Sequence, residues 1–486
     1  MTIQDLGRRA LFAGALLAAT ACTESESGPI PVSAIGAPPQ LVNPNLQPID
    51  AASAFLLQAA AQGLVRFDQS GQIEPALAQS WIVSNDGLRY TFRLARTRWS
   101  NGEPVKAEQV VERLRAAASR ASRNPLKPLL GAIAEVEAMT DDVLEISLVS
   151  PRPNFLQLLA QPEMAVMRKG RGSGPFQVET RADGSHLLSA HDPDLEEGEE
   201  DPHGPPIMLR GERAGLAVAR FRAGDADFVT GGRVGDLAVA RAADLPAAAL
   251  RFDPVAGMFG LAFTAAAGPW AEPDARSALS MSIDRPALVA ALGVPTLQAR
   301  ESVLPPGIEE LPNPALPPWA ADPLPVRRAA AAGRVAAATG EGRPSVRVAL
   351  PEGPGYRLLF AHLRRDWSAI GVEAVRARAG EAADLRLIDE VAPAALSTWY
   401  LRHFTCDVSR VCSQEADVLL AAARAAPAIG ERQNALRAAD RLIADAVPFI
   451  PLAAPVRWSL VSPRLTGFQP NPFGSRFPGS LVAPAR

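Results

Sequence analysis

Gly63-Leu-Val-Arg-Phe-Asp68, Gly71-Gln-Ile-Glu-Pro-Ala-Leu-Ala78, Ser80-Trp81, Asp86-Gly-Leu-Arg-Tyr-Thr-Phe-Arg-Leu94 and Trp99-Ser-Asn-Gly-Glu-Pro104 make up the stretch that decides the fold. Asp86-Gly87 spells a hairpin turn, because glycine reaches φ > 0 without a steric clash. Beyond it Leu88, Tyr90, Phe92 and Leu94 alternate, the period of a strand with one buried face. Asn101-Gly102 is a second turn. From Ala107 to Ala118 the apolar spacing becomes helical, with Val110, Val111 and Leu114 on the inward side.

Working outward, the 486-residue chain is 48% hydrophobic and 21% charged, which supplies packed cores and excludes a disordered chain. A net charge of −3 gives no field suited to nucleic acid. The 45 Pro and 37 Gly fit a mixed α/β protein rich in turns better than a helical bundle. Val346-Arg-Val-Ala-Leu350 alternates as a strand, and Tyr356 to Ile370 follows as a helix, which predicts a second α/β unit.

At the N-terminus Arg8 and Arg9 precede an apolar run from Ala10 to Ala21. That run falls short of the roughly 20 residues a membrane span needs and matches an export signal over 1–21. Ala19-Thr-Ala-Cys22 resembles a bacterial lipobox, with Ala19 in place of the usual Leu. Cys22 is then the expected lipidation site, and 22–30 a polar tether. Arg8 to Phe12 is also similar to a twin-arginine signal, so the export route stays open. In an oxidising compartment Cys406 and Cys412, six positions apart, read as a disulfide. A metal pair is the rival, but His403 is the one nearby imidazole and no CxxC or HExxH occurs.

Motifs of catalysis are missing: no G-x-S-x-G elbow, no G-x-x-x-x-G-K-[ST], and no G-x-G-x-x-G after a strand. The acidic run from Asp192 to Asp201, flanked by His191 and His203, reads as a solvated loop rather than a metal site. The expectation is a protein that is not an enzyme and has no cofactor and no metal.

The order of elements from Gly63 to Ala117 resembles the extracytoplasmic solute-binding proteins of ABC transporters, the peptide/nickel-binding family 5. Gly172-Ser-Gly-Pro-Phe176, the stretch Ala219 to Asp227, and the stretch Ala275 to Arg285 are similar to that family's later segments. So are Asp366 to Val372, Phe404 to Cys412, and Pro448-Phe-Ile-Pro-Leu452. The resemblance implies a type II, cluster C-like periplasmic-binding-protein fold of two α/β lobes with mixed sheets and a two-strand hinge. Lobe I would comprise 31–255 with 455–486 returning to it, and lobe II 256–454. It further implies capture of an oligopeptide or peptide-like solute by hinge closure and delivery to permease subunits in the inner membrane. The protein would act as a monomer on the periplasmic side, held to the membrane by its lipid.

The family's peptide binders anchor the ligand amine with an Asp in a "gW..D..DP" segment. Here the corresponding stretch, Asp384 to Pro393, has no Gly-Trp, and an ungapped count puts the Asp position on Ala392. Asp389 and Glu390 are the acids within reach of that role. Arg357 stands where relatives keep an Arg toward the peptide carboxylate, and Trp399 and Tyr400 are candidates for the cleft wall. The altered anchor leaves open a second reading, an envelope interaction lipoprotein that keeps the fold but has lost the ligand.

Overall fold

The computed structural model describes residues 28–152, 154–190, 204–340, 342–426 and 428–482. The export signal, Cys22 and the acidic run at 192–201 lie outside the described residues.

Two mixed sheets organise the chain. The first has seven strands in the order Leu250–Asp253, Arg457–Val461, Phe228–Gly232, Ile30–Ile35, Ile207–Glu212, His186–Ala190 and Phe176–Thr180. Ile30–Ile35 at its centre is parallel to both neighbours, and the outer pairings are antiparallel. Its face is covered by the helix Ala51–Ala60, which buries Phe55, Leu56 and Ala59 against Ile30, Val32 and Phe228. That helix starts where it does because Asp50 accepts the Ser53 N–H at 2.8 Å, satisfying one of its orphan donors.

The second sheet has five strands: Glu373–Arg376, Ser345–Ala349, Leu385–Val391, Gly257–Phe263 and Phe449–Ala453. The chain passes between the sheets twice, from Asp253 to Gly257 and from Ala453 to Arg457. The strands at these crossings pair in both sheets, Phe252 with Trp458 in the first and Phe259 with Ala453 in the second. Two adjacent antiparallel strands therefore bridge the halves. Only glycine fits at 257, where a Cβ would meet the Glu390 carbonyl oxygen at 2.0 Å.

The opening motif folds as its pattern predicts. Arg89–Leu94 buries Tyr90, Phe92 and Leu94 in a four-stranded antiparallel sheet with Ala78–Val83, Val143–Leu148 and Ile133–Ala138. Gly87 takes φ +68 at the turn. The helix Ala107–Ala118 buries Val110, Val111 and Leu114. In the second unit the helix spans Pro354–Ser368, two residues earlier at both ends than its apolar pattern suggests. Pro is favoured in a first turn, and Gly371 at φ +81 carries the chain away after the last one. Asp284 and Arg285 are structural: Asp284 caps the following helix through Ala287 N–H at 3.0 Å. Buried Arg285 donates to Pro451 O at 2.8 Å and Ser280 O at 2.9 Å, and burial lowers its pKa to about 10.

Cys406 and Cys412 form a disulfide with Cα atoms 5.1 Å apart, and the Cys406 N–H bonds Asp417 at 3.0 Å, closing the loop between them. Among the described residues no helix is long and apolar enough to cross a membrane.

Asp440, on the helix Ile429–Ala446, is 1% exposed and accepts one bond, from Ala315 N–H at 2.6 Å. Burial pushes its pKa up to about 6 from 3.8. Between those values the folded state binds more protons than the unfolded chain, so stability falls as pH rises through that window. Asp440→Asn keeps an acceptor for Ala315. It should flatten that pH dependence and raise stability at neutral pH by about 2 kcal/mol, measured by denaturant unfolding at several pH values. An unchanged pH profile would contradict the assignment.

Candidate functional site

A cavity of about 390 Å³ opens where the two sheets face each other beside the crossings. One wall is built from the first half: the start of the helix Ala51–Ala60, the strand end at Thr230–Arg233, the strand start at Arg457–Ser459, and the loop 473–476. The opposite wall is the end of the strand Leu385–Val391, continuing to Pro393, with Trp399 and Arg402 from the turn after it. Gly232 has no side chain because a Cβ there would meet the Trp458 ring at 2.2 Å. Pairing of Phe228–Gly232 with Arg457–Val461 shifts register between Val229 and Gly232, which interrupts the ladder where the strand reaches the cavity.

The halves also touch across the rim. Gln161 Nε2 donates to Pro393 O at 2.6 Å, and Asn154 Nδ2 to Ala395 O at 3.0 Å. Behind the cavity, Arg241 Nη2 reaches Gly293 O at 2.8 Å.

Of the residues selected from sequence, Asp389, Glu390 and Trp399 line the cavity. Asp389 is already engaged. Its Oδ1 accepts from Arg457 Nη1 at 2.7 Å, and its Oδ2 from the Tyr356 hydroxyl at 3.2 Å. Arg457 Nη2 also donates to the Asp389 carbonyl at 3.1 Å, so one guanidinium grips both side chain and backbone. The Asp389 side chain is 6% exposed and that of Arg457 14%. Tyr356 is held well above the ordinary phenol range by burial and then by the adjacent Asp389 carboxylate.

Glu390, the next residue on the strand, points the other way and is half exposed. Its Oε2 lies 3.3 Å from His403 Nε2, and that hydrogen bond holds its carboxyl below the usual range. Trp399 packs edge-on against both Tyr400 and His403, with centroids 4.8 Å apart in each case. Tyr400 is 1% exposed, packs in the core beneath that tryptophan, and is pushed up to about 12 by burial. Arg357 lies on the exposed side of its helix and outside the cavity wall. The helix turns Tyr356 and Leu359 inward, so the position between them faces solvent.

Several cavity residues carry no motif. Arg476 pairs with Asp253 in an almost fully buried bridge, side chains 2% and 5% exposed. Burial raises the Asp253 pKa, and the Arg476 charge opposes that shift. Arg233 lines the wall with its carbonyl accepting the Trp458 indole N–H at 2.8 Å, while its guanidinium has no ion pair among the described residues. Arg402 keeps a buried Nε with no hydrogen-bond partner among the described residues. The signals that point to Arg457 and Arg476 are weak: each is an arginine set among apolar residues near the C-terminus. Among the described residues no group of three or more His, Cys, Asp or Glu is arranged to hold a metal.

Two α/β halves joined by a pair of strands, with a polar cavity at the join, define a cleft-type binding protein rather than a surface receptor. The chain belongs to the bacterial extracellular solute-binding proteins, family 5, whose middle-region model matches residues 72–401. It is 35% identical over 125 residues to the nickel-binding periplasmic protein of Escherichia coli, covering 26% of this chain and 22% of that protein. Its alignments span 22% to 50% of the length of the first curated relatives it matches. The fold is that of Haemophilus influenzae OppA, solved in complex with the peptide RPPGFSPFR. The TM-score is 0.79 at 19% identity, over 93% of this chain and 98% of that one. The murein tripeptide binding protein MppA of Escherichia coli gives 0.79 at 20% identity, over 94% and 98% of the two chains.

Because Asp389 and Arg457 are both largely buried, removing one strands the other. Asp389→Ala should cost about 3 kcal/mol of stability, and Arg457→Ala a similar amount. The double variant should lose clearly less than the sum, as read from denaturant midpoints in a double-mutant cycle. Strict additivity would show the pair to be uncoupled.

Proposed function

We propose that this protein is the extracytoplasmic solute-capturing component of an ABC importer, taking oligopeptides or peptide-like solutes and catalysing no reaction. The observation that carries the reading is the polar cavity enclosed between two halves that a pair of strands joins. Residues 31–255 with 455–486 act as one lobe and 256–454 as the other. Hinge closure removes water from the solute and presents a closed shape to the permease subunits in the inner membrane. A solute drives that closure only by binding the closed state better than the open one. The interrupted ladder at Thr230–Gly231 and the strand end at Val391 offer backbone groups for an extended ligand, the β-augmentation mode that tolerates many side chains. Family membership and the peptide complex of OppA support this ligand class.

The mature protein is a monomer tethered outside the cytoplasm through a lipid on Cys22. The engagement of Asp389 by Arg457 joins the missing Gly-Trp in favouring the rival, an interaction lipoprotein without a ligand.

Titration calorimetry with tripeptide mixtures, paired with small-angle scattering, tests the proposal. Saturating ligand should release or take up heat and shrink the radius of gyration. Absence of both across peptides and other small solutes would favour the rival. Separately, Cys22→Ala should move the protein from the membrane to the soluble fraction on cell fractionation, and retention on membranes would exclude the lipid anchor.

A further inference from the structure

Five carboxylates line the cavity: Asp50, Glu163, Asp253, Asp389 and Glu390. Four of them are committed. Asp50 caps the helix Ala51–Ala60 through Ser53 N–H at 2.8 Å. Asp253 is bridged to Arg476, Asp389 to Arg457 and Tyr356, and Glu390 to His403. Glu163 differs: among the described residues no other residue gives its carboxylate a hydrogen bond or ion pair, although its backbone is firmly placed. The Glu163 carbonyl accepts from Asn124 Nδ2 at 2.7 Å, and Asn124 is itself fixed by Asn45 Oδ1 at 2.9 Å and by the Leu126 N–H at 2.9 Å.

The setting is partly apolar. Pro125 and Leu126 share the cavity wall with Glu163. Burial raises the Glu163 pKa, opposed by a hydrogen bond from its own backbone N–H and by no neighbouring cation. Its side chain is part-buried and opens to the cavity, so a carboxylate now reached by water would need a new partner once a solute displaces that water. Two residues earlier Gln161 reaches across to Pro393, so the segment carrying Glu163 is one that meets the opposite wall directly.

We infer that Glu163, rather than Asp389, receives the positively charged group of the captured solute, an ammonium or guanidinium entering the cleft from outside. This rests on the reading of the cavity as a solute site. A cation placed there would supply the compensation that Glu163 lacks. Asp389 cannot offer the same service without surrendering Arg457. The cation-binding position therefore lies on the first wall, whereas the sequence segment that suggested Asp389 belongs to the second.

The test uses the mature chain and calorimetry with three probes: free-amine tripeptides of Ala and Ser, the same tripeptides N-acetylated, and N-acetylated tripeptides carrying Lys or Arg. Wild type should prefer probes with a cation over the acetylated neutral set by at least about tenfold. Glu163→Gln, of nearly equal volume, should erase that preference while leaving the affinity for the neutral set within about twofold and the melting temperature no lower. Whether the first or third probe gains more distinguishes an α-amine from a side-chain cation. A preference that survives Glu163→Gln overturns the assignment to Glu163. Wild-type protein that binds none of the probes overturns the peptide reading, and the Glu163 assignment with it.

Discussion

Compensation of buried charge governs this cleft. When two α/β halves close over a cavity, water leaves, and each ionised group on either wall needs a new partner or loses several kcal/mol. Arg457 and Asp389 show the solution at the crossing itself. Arg457 opens the strand that returns to the first sheet, and Asp389 lies near the end of a strand in the second. Their contact at 2.7 Å spans the join between the halves. Asp253 and Arg476 repeat the device within the first half. What remains uncompensated marks, on the proposed function, where a captured solute would supply the missing charge.

Much of the fold is legible in the sequence because the signals are local. The strand Arg89–Leu94 and the helix Ala107–Ala118 are each set by the spacing of a few apolar residues and by turns at Gly87 and Gly102. The disulfide is equally local, since its two cysteines are six positions apart. Features that resist reading depend on partners far away in sequence. Asp389 looks like a free anchor until Arg457, 68 positions on, is folded against it. Sequence position alone assigns Arg357 to a ligand, but the start of its helix at Pro354 turns that residue to solvent. Glu163 belongs to no motif, and only the assembled wall reveals that it lacks a partner.

The same logic explains why a family match fixes the fold more firmly than the ligand. Sheets, crossings and core depend on apolar spacing that survives wide sequence change, and the solved relatives at 19% and 20% identity share them. The cavity depends on a handful of charged side chains whose pairing changes when one residue is exchanged. Here Asp389 is taken by Arg457, whereas Glu163 on the first wall has no ion-pair partner among the described residues.

The most direct test is a crystal structure of the protein purified from its native envelope without denaturation. The account predicts ordered solute density bridging the wall at Glu163 and the wall at Glu390, with Arg457 still on Asp389. A cavity filled by the protein's own side chains, or halves with no space between them, would contradict it.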